Sequence, residues 1–387
     1  MITRSAHSST LDTLLSSNPV VGIIGARQVG KTTLARQYIK KWNGSVHFFD
    51  LEDPRDEAKL ADPMVALEGL EGLIILDEVQ RTPDIFKALR VLCDRDPLPA
   101  KFLVLGSASP ELLQQSAETL AGRISYLELG GLGINEVGPK AANKLWIRGG
   151  FPRSFLAETD EESTRWRRDF IKTFLERDLP AIGVRMPASA MRRFWTMMAH
   201  YHGQLWNASE IGRSFGVADT TVRRYLDILE ASFVVRILQP WHENIGKRQV
   251  KAPKIYIADS GIAHALLGLW NEDQVLGHPK MGATWEGFAL KTVVEKLDAL
   301  PEMCFFWRTH TGAELDLLII KGGKRLGFEF KRTSAPQLTR SMQNAAQTLG
   351  LERLFVIHAG VDSFPVKKGI NALPLSRVWS DPELSRY

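Results

Sequence analysis

The sequence predicts an α/β protein of several domains, and three observations predict it. An apolar run at residues 20–24 stops at Gly25, crosses a short loop and enters a helix-forming segment at Gly30-Lys31-Thr32. A second apolar run, residues 73–76, ends in the paired acids Asp77-Glu78. Far downstream, residues 312–320 alternate and then become apolar, Gly322-Gly323 turns the chain, and residues 325–331 read as the partner strand, which is the pattern of a hairpin. At 387 residues the chain exceeds one ordinary core. Its 44% hydrophobic and 24% charged content is that of a globular protein in water.

The first element is GxxxxGK[ST] with a strand before it and a helix after it. Its backbone N–H groups close on phosphate oxygens, and the following helix adds its positive end. Gly25, Ala26, Arg27, Gln28, Val29, Gly30, Lys31, Thr32 and Thr33 form this cradle, so the chain is expected to bind ATP. Lys31 reaches the β- and γ-phosphates, and Thr32 places its hydroxyl on Mg2+. The helix is expected over residues 33–42 and a second strand over 46–50. The third strand is apolar on both faces, as a covered parallel strand should be. It offers Asp77 to hold Mg2+ and Glu78 to polarise the attacking water.

A fourth strand, 101–107, ends in small polar residues. There Ser107 or Ser109 either senses the γ-phosphate or serves ordinary turn chemistry. Arg123 precedes a fifth strand, 124–129. It either stabilises charge on the transferring phosphoryl group, in its own or a neighbouring subunit, or makes a surface ion pair. A homo-oligomer is one arrangement this allows.

The segments GARQVGKTT, LIILDEVQ, FFDLEDPRD, LAGR, RGGFPRSFLA and ERDLP together resemble a prokaryotic group of AAA-type ATPases. In that group the ATPase core precedes a long C-terminal half classed as a domain of unknown function. The resemblance implies a five-stranded parallel sheet with the phosphate loop after the central strand, and it places Arg123 where the arginine finger sits. It further implies a helical lid in which Gly149, Gly150 and Pro152 pack on the adenine, with Arg148 or Arg153 facing the phosphates. The residues alone give a helix-breaking turn there. A charged amphipathic helix over 161–177 follows, and its stripe of Trp166, Phe170 and Phe174 reads as core.

Residues 209–226 read as a helix-turn-helix: Gly216 allows the turn, and Asp219 or Thr220 caps the second helix. Ile211, Val217, Val222 and Leu226 form the small core between the helices. Thr220, Thr221, Arg223 and Arg224 face outward, types that suit phosphates and base edges. Segments 233–238 and 254–257 are expected to pair as a wing. Lys247, Arg248, Lys251 and Lys254 between and within them suit a phosphate backbone. Double-stranded DNA is the expected partner; docking of a protein is the alternative. His200 and His202 are two apart, which does not put two metal ligands on one helix face.

In the last third, Glu329 and Lys331 share a strand face, and the hairpin brings Asp316 to it. Two acids hold a divalent cation, and a lysine steadies the attacking water. Glu286, on an upstream helix, adds a ligand, and Glu314 is an alternate. The set Glu286, Asp316, Glu329 and Lys331 resembles the PD-(D/E)XK nuclease-like fold. Gln343 only loosely matches the glutamine motif of exonuclease-type members, so cleavage stays open against cross-strand pairing alone.

The fold class expected is thus α/β multidomain. It comprises an AAA-type core (1–130), a helical lid (131–185), a winged helix (186–260) and a nuclease-like α/β domain (261–387). A net charge of +5 mildly favours a polyanionic partner. Cys93 and Cys304 lack the spacing of a zinc site or a disulfide framework. The start has no apolar h-region, and no apolar run reaches membrane-spanning length, so a cytoplasmic setting is expected.

Overall fold

A computed structural model of the chain describes residues 2–82, 84–107, 119–182, 184, 186–242 and 251–387. The candidate positions Ser109, Lys247 and Arg248 lie outside the described residues. The chain forms two compact units, one of Met1–Gly131 with Asp227–Phe233, the other of Leu132–Leu226 with Val234–Tyr387.

The first unit is built on five parallel strands: β1 (Val20–Gly25), β2 (Val46–Asp50), β3 (Gly72–Asp77), β4 (Ala100–Ser107) and β5 (Ile124–Glu128). Their order is β2-β3-β4-β1-β5. The strand that feeds the glycine loop therefore has a neighbour on each side but is second from one edge, not in the middle as the resemblance implied. Buried on both faces, β1 and β3 are the apolar runs of the sequence. The helix Lys31–Ile39 buries Lys31, Leu34, Ala35 and Tyr38, one stripe at helical spacing. It starts two residues earlier and ends three earlier than its expected span. The helix Ile85–Cys93 seals the other part of the sheet with Ile85, Phe86, Leu89 and Leu92, against Ile74, Leu76, Phe102 and Val104.

The second unit opens with helices. The helix Asp160–Thr173 widens to a π-turn over Phe174–Asp178. Its Trp166, Phe170 and Phe174 lie in a run of ring contacts from Phe151 to Trp195, so the stripe is core as expected. The helix Ala188–His200 supplies Phe194, whose ring meets Trp206, Phe215 and Tyr225 edge-on. Those partners lie on and around two further helices, Ala208–Phe215 and Asp219–Ala231, joined at a left-handed Gly216; the second runs from this unit into the Asp227–Phe233 segment counted with the first.

A nine-stranded mixed sheet completes this unit: β6 (Gln204–Leu205), β7 (Val235–Pro240), β8 (Lys254–Ile257), β9 (Cys304–Arg308), β10 (Glu314–Lys321), β11 (Lys324–Lys331), β12 (Arg353–His358), β13 (Phe364–Lys367) and β14 (Ile370–Pro374). The order is β13-β14-β12-β11-β10-β9-β7-β8-β6. The segments expected to form a wing do pair, β7 antiparallel to β8, with β6 on the far side of β8. Strand β7 also runs parallel to β9, so the sheet continues without a break into the C-terminal strands. Strands β10 and β11 form the expected antiparallel hairpin. The helix Met281–Lys296 carries Glu286. Among the described residues no helix is long and apolar enough to cross a membrane.

Candidate functional site

The glycine loop sits at the C-terminal end of β1. Gly25 needs its missing side chain, because a Cβ there would lie 2.2 Å from the Leu129 carbonyl oxygen. Gly30 adopts φ +102° and opens the helix with no side-chain cap, which leaves its first N–H groups to the loop. Gln28, at φ 63°, and Glu78, at φ 55°, are two of the four non-glycine residues with positive φ among the described residues. Both lie at this site, where backbone strain is commonly stored.

Lys31 is 6% exposed, and its Nζ donates to the Gly25 and Ala26 carbonyls, each at 3.1 Å. Burial lowers its pKa to about 8, although the nearby Glu78 and Asp77 work the other way. The Thr32 hydroxyl donates to Asp77 Oδ2 at 2.7 Å, which brings the start of the helix against the end of β3. Burial raises the Asp77 carboxyl to about 6 despite that hydrogen bond. Its second oxygen accepts from the Glu78 N–H at 3.0 Å. Gln80 Nε2 donates to the Glu78 carboxylate, and Arg27 lies 3.9 Å from the same oxygen. Ala26 and Val29 are buried, while Thr33 is exposed. Thr32 and Asp77 thus set a hydroxyl and a carboxylate oxygen side by side, the class of hard donor that an Mg2+ ion takes.

Arg123 stands elsewhere. Its guanidinium holds Asp94 through Nε at 2.6 Å and Nη2 at 2.8 Å. Its carbonyl accepts from Val20 N, at the start of β1. The cradle lies at the other end of that strand, roughly 17 Å away at about 3.3 Å per residue. The reach of Arg123 to the nucleotide loop of its own subunit is thereby corrected: a residue preceding a parallel strand emerges at the opposite edge of the sheet. Pro152, expected against adenine, opens the short helix Pro152–Phe155 of the second unit. Beside it Arg148 is buried and pairs with Asp160 at 2.8 Å, and Gly150 N donates to Asp259 Oδ2 at 2.6 Å.

Residues at the C-terminal hairpin converge as the period-two pattern implied. Asp316, Glu329, Lys331 and Glu286 line one cleft of about 670 Å3, together with Lys254, Arg308, Glu314, Thr339 and Ser341. Lys331 Nζ lies 3.1 Å from Glu329 and 3.9 Å from Asp316. Phe330 N donates to Asp316 Oδ2 at 3.0 Å, and the Tyr256 hydroxyl donates to Glu286 at 2.7 Å.

Lys254 departs from its expected role. It is 3% exposed and does not track a phosphate backbone. It pairs with Glu314 and lies 3.8 Å from Glu286 and 3.9 Å from Asp316. Burial opposes its charge, but these acids outweigh burial and hold its pKa above the ordinary lysine value. Burial, then Asp316, raises Glu286 to about 7 and Glu329 well above the carboxylate range. Among the described residues no group of three or more Asp, Glu, His or Cys side chains is arranged to hold a metal ion. Of the carboxylates expected as metal ligands, Glu286 and Asp316, with the alternate Glu314, instead flank the Lys254 ammonium, and Glu329 pairs with Lys331, so the set does not fit a metal as it stands.

On the helix pair, Thr220, Arg223 and Arg224 are exposed and Thr221 is half-buried; Ile211, Val222 and Leu226 are buried beneath them. Val217, expected in that core, is only half-buried. Sequence reasoning missed Arg4, which is buried and donates to the carbonyls of Val29, Gly130 and Gly131. A lone arginine in a polar start carries no signal. It gave Lys254 the wrong surroundings, although a charged residue opening the apolar strand Lys254-Ile255-Tyr256-Ile257 requires a buried counter-charge.

The AAA domain family model matches residues 17–138. Two domains of unknown function, DUF8612 and DUF4143, match residues 139–273 and 281–378. The uncharacterized proteins Rv2008c of Mycobacterium tuberculosis and Mb2031c of Mycobacterium bovis are each 50% identical over 380 residues, covering 98% of this chain and 85% of the relative. Among solved structures, the Walker-type ATPase PABY2304 of Pyrococcus abyssi is 14% identical, with a TM-score of 0.47 over 69% of this chain and 96% of that one. The RuvB Holliday junction branch migration motor of Thermotoga maritima is 18% identical, with a TM-score of 0.32 over 60% and 89%.

Proposed function

This chain belongs to one family with the mycobacterial proteins Rv2008c and Mb2031c and carries an AAA domain at residues 17–138, and from that premise we propose an ATP-hydrolysing protein of the cytoplasm that acts on double-stranded DNA. The observation that carries the ATPase reading is the 2.7 Å bond from Thr32 to Asp77, beside the loop whose carbonyls hold Lys31. When a triphosphate enters, Lys31 exchanges the Gly25 and Ala26 carbonyls for phosphate oxygens. Loop N–H groups from Gly25 to Thr33 hold the remaining oxygens. Thr32 and Asp77 would hold Mg2+, which neutralises charge on the phosphates. Glu78, kept in place by Gln80 and Arg27, orients a water toward the γ-phosphorus and draws on its proton.

The DNA reading is supported by the order of elements: helix 188–200, β6, helix 208–215, helix 219–231, β7 and β8, with β8 flanked by β6 and β7. That order suits a winged helix, with Thr220, Thr221, Arg223 and Arg224 toward the duplex. Arg123, remote from its own cradle, suits a neighbour's site in a homo-oligomer.

A second reading is a nucleotide-switched regulator whose nuclease-like cleft does not cleave; the Lys254 ammonium among the acids favours it. ATP hydrolysis measured with and without double-stranded DNA, over a range of protein concentrations, tests the proposal. Turnover stimulated by DNA, and rising per subunit with concentration, supports it. Turnover indifferent to DNA favours the regulator, and activity surviving Lys31→Ala removes the ATPase assignment.

A further inference from the structure

We propose that the Lys254 ammonium is the resident cation of the C-terminal cleft, standing where a divalent metal ion is otherwise held between carboxylates. The native cleft then takes up no divalent ion, and removing the ammonium creates a site for one. The inference deepens the nuclease-like reading of this cleft and is independent of the ATPase site.

Geometry carries it. Lys254 lies on β8, whose backbone is pinned on both sides, opposite Leu205 of β6 and Leu238 of β7. The side chain therefore enters the cleft from a fixed origin, passing the Phe306 ring with its Nζ 5.5 Å from the centroid. Its ammonium meets three carboxylates from two separate elements: Glu286 from the helix Met281–Lys296, and Glu314 and Asp316 from β10. Each acid is held by another group, Glu286 by the Tyr256 hydroxyl, Asp316 by Phe330 N and Glu314 by Arg308 at 3.5 Å. On the far side of Asp316, Lys331 joins it to Glu329. The acids thus form one chain interleaved with two ammonium groups. A divalent ion bridging Glu286 and Asp316 would lie within about 4 Å of a buried positive charge, where the repulsion is weakly screened.

The test is uptake of Mn2+ by the nucleotide-free full chain, read from loss of the free-ion electron paramagnetic resonance signal. The wild type, Lys254→Met, Lys254→Arg, Asp316→Asn and the double variant Lys254→Met with Asp316→Asn are compared. Any ion held weakly near Thr32 and Asp77 is common to all five and cancels. We expect wild type and Asp316→Asn to take up Mn2+ alike, and Lys254→Arg to match them. Lys254→Met should bind one further ion per chain, lost in the double variant. If Lys254→Met is unfolded, the wild type against Asp316→Asn still decides: uptake by the wild type that depends on Asp316 overturns the inference. A folded Lys254→Met that gains no ion overturns it equally. With no nucleotide present, either failure leaves the ATPase reading standing.

Discussion

Raising pH should weaken nucleotide binding in a way set by Lys31 alone. Lys31 is 6% exposed, and its ammonium donates to the carbonyls of Gly25 and Ala26. Desolvation lowers its pKa to about 8; Glu78 and Asp77 offset part of this, and Arg27 adds to it. The competent loop is the one with a charged lysine. Its fraction is about 0.9 at pH 7 and about 0.1 at pH 9, so the apparent Kd should rise about tenfold, or about 1.4 kcal/mol, across that interval. The last proton of a terminal phosphate leaves near pH 6, about one unit below this window. A fluorescent ADP analogue titrated in EDTA from pH 7 to 9.5 measures the effect without metal. Lys31→Arg, charged throughout, should bind with a flat profile. An affinity of the native chain that holds constant to pH 9.5 refutes the claim that burial controls this lysine.

Other outcomes follow from neighbouring geometry. Asp77→Asn should abolish ATP turnover yet stabilise the fold at pH 7.5, by about 1 kcal/mol or more in chemical denaturation. The sign follows from a folded pKa of about 6 above the ordinary 3.8: the proton-linked stability is full below the lower value and lost as pH rises through the upper. A destabilised Asp77→Asn would contradict the burial cost. Arg223→Ala with Arg224→Ala should weaken DNA binding and reduce the slope of log affinity against log salt by about 1.8, at roughly 0.9 per phosphate contact; an unchanged slope argues against these two arginines as phosphate contacts. Gly261→Ala places a Cβ 2.2 Å from the Arg148 carbonyl oxygen, so thermal melting should drop by the equivalent of about 2–3 kcal/mol. Melting like the native chain would show that the backbone gives way there.

The nucleotide site was legible because its parts are local. One loop of consecutive residues and one strand end supply Lys31, Thr32, Asp77 and Glu78, and parallel packing brings the two together. Half of the C-terminal cleft was legible for a similar reason, since period two places Glu329 and Lys331 on one face. Lys254 escaped because its partners lie 32 to 62 positions along the chain (Glu286, Glu314, Asp316), and sequence spacing carries nothing of that contact. Its basic neighbours Lys247, Arg248 and Lys251 suggested a solvent-facing stripe instead. Arg123 shows the reverse: its place just before β5 already fixed which edge of the sheet it occupies.

Because β7 bonds to β8 on one side and to β9 on the other, the β7–β8 pair and the strands of the acidic cleft share a single spine. A cut after residue 260 would not release two modules; it would leave a bare edge on each piece, the kind that recruits stray strands and aggregates. Lys254 and its partners Glu314 and Asp316 therefore hang from one ladder, and backbone pairing rather than side-chain packing sets the spacing between them.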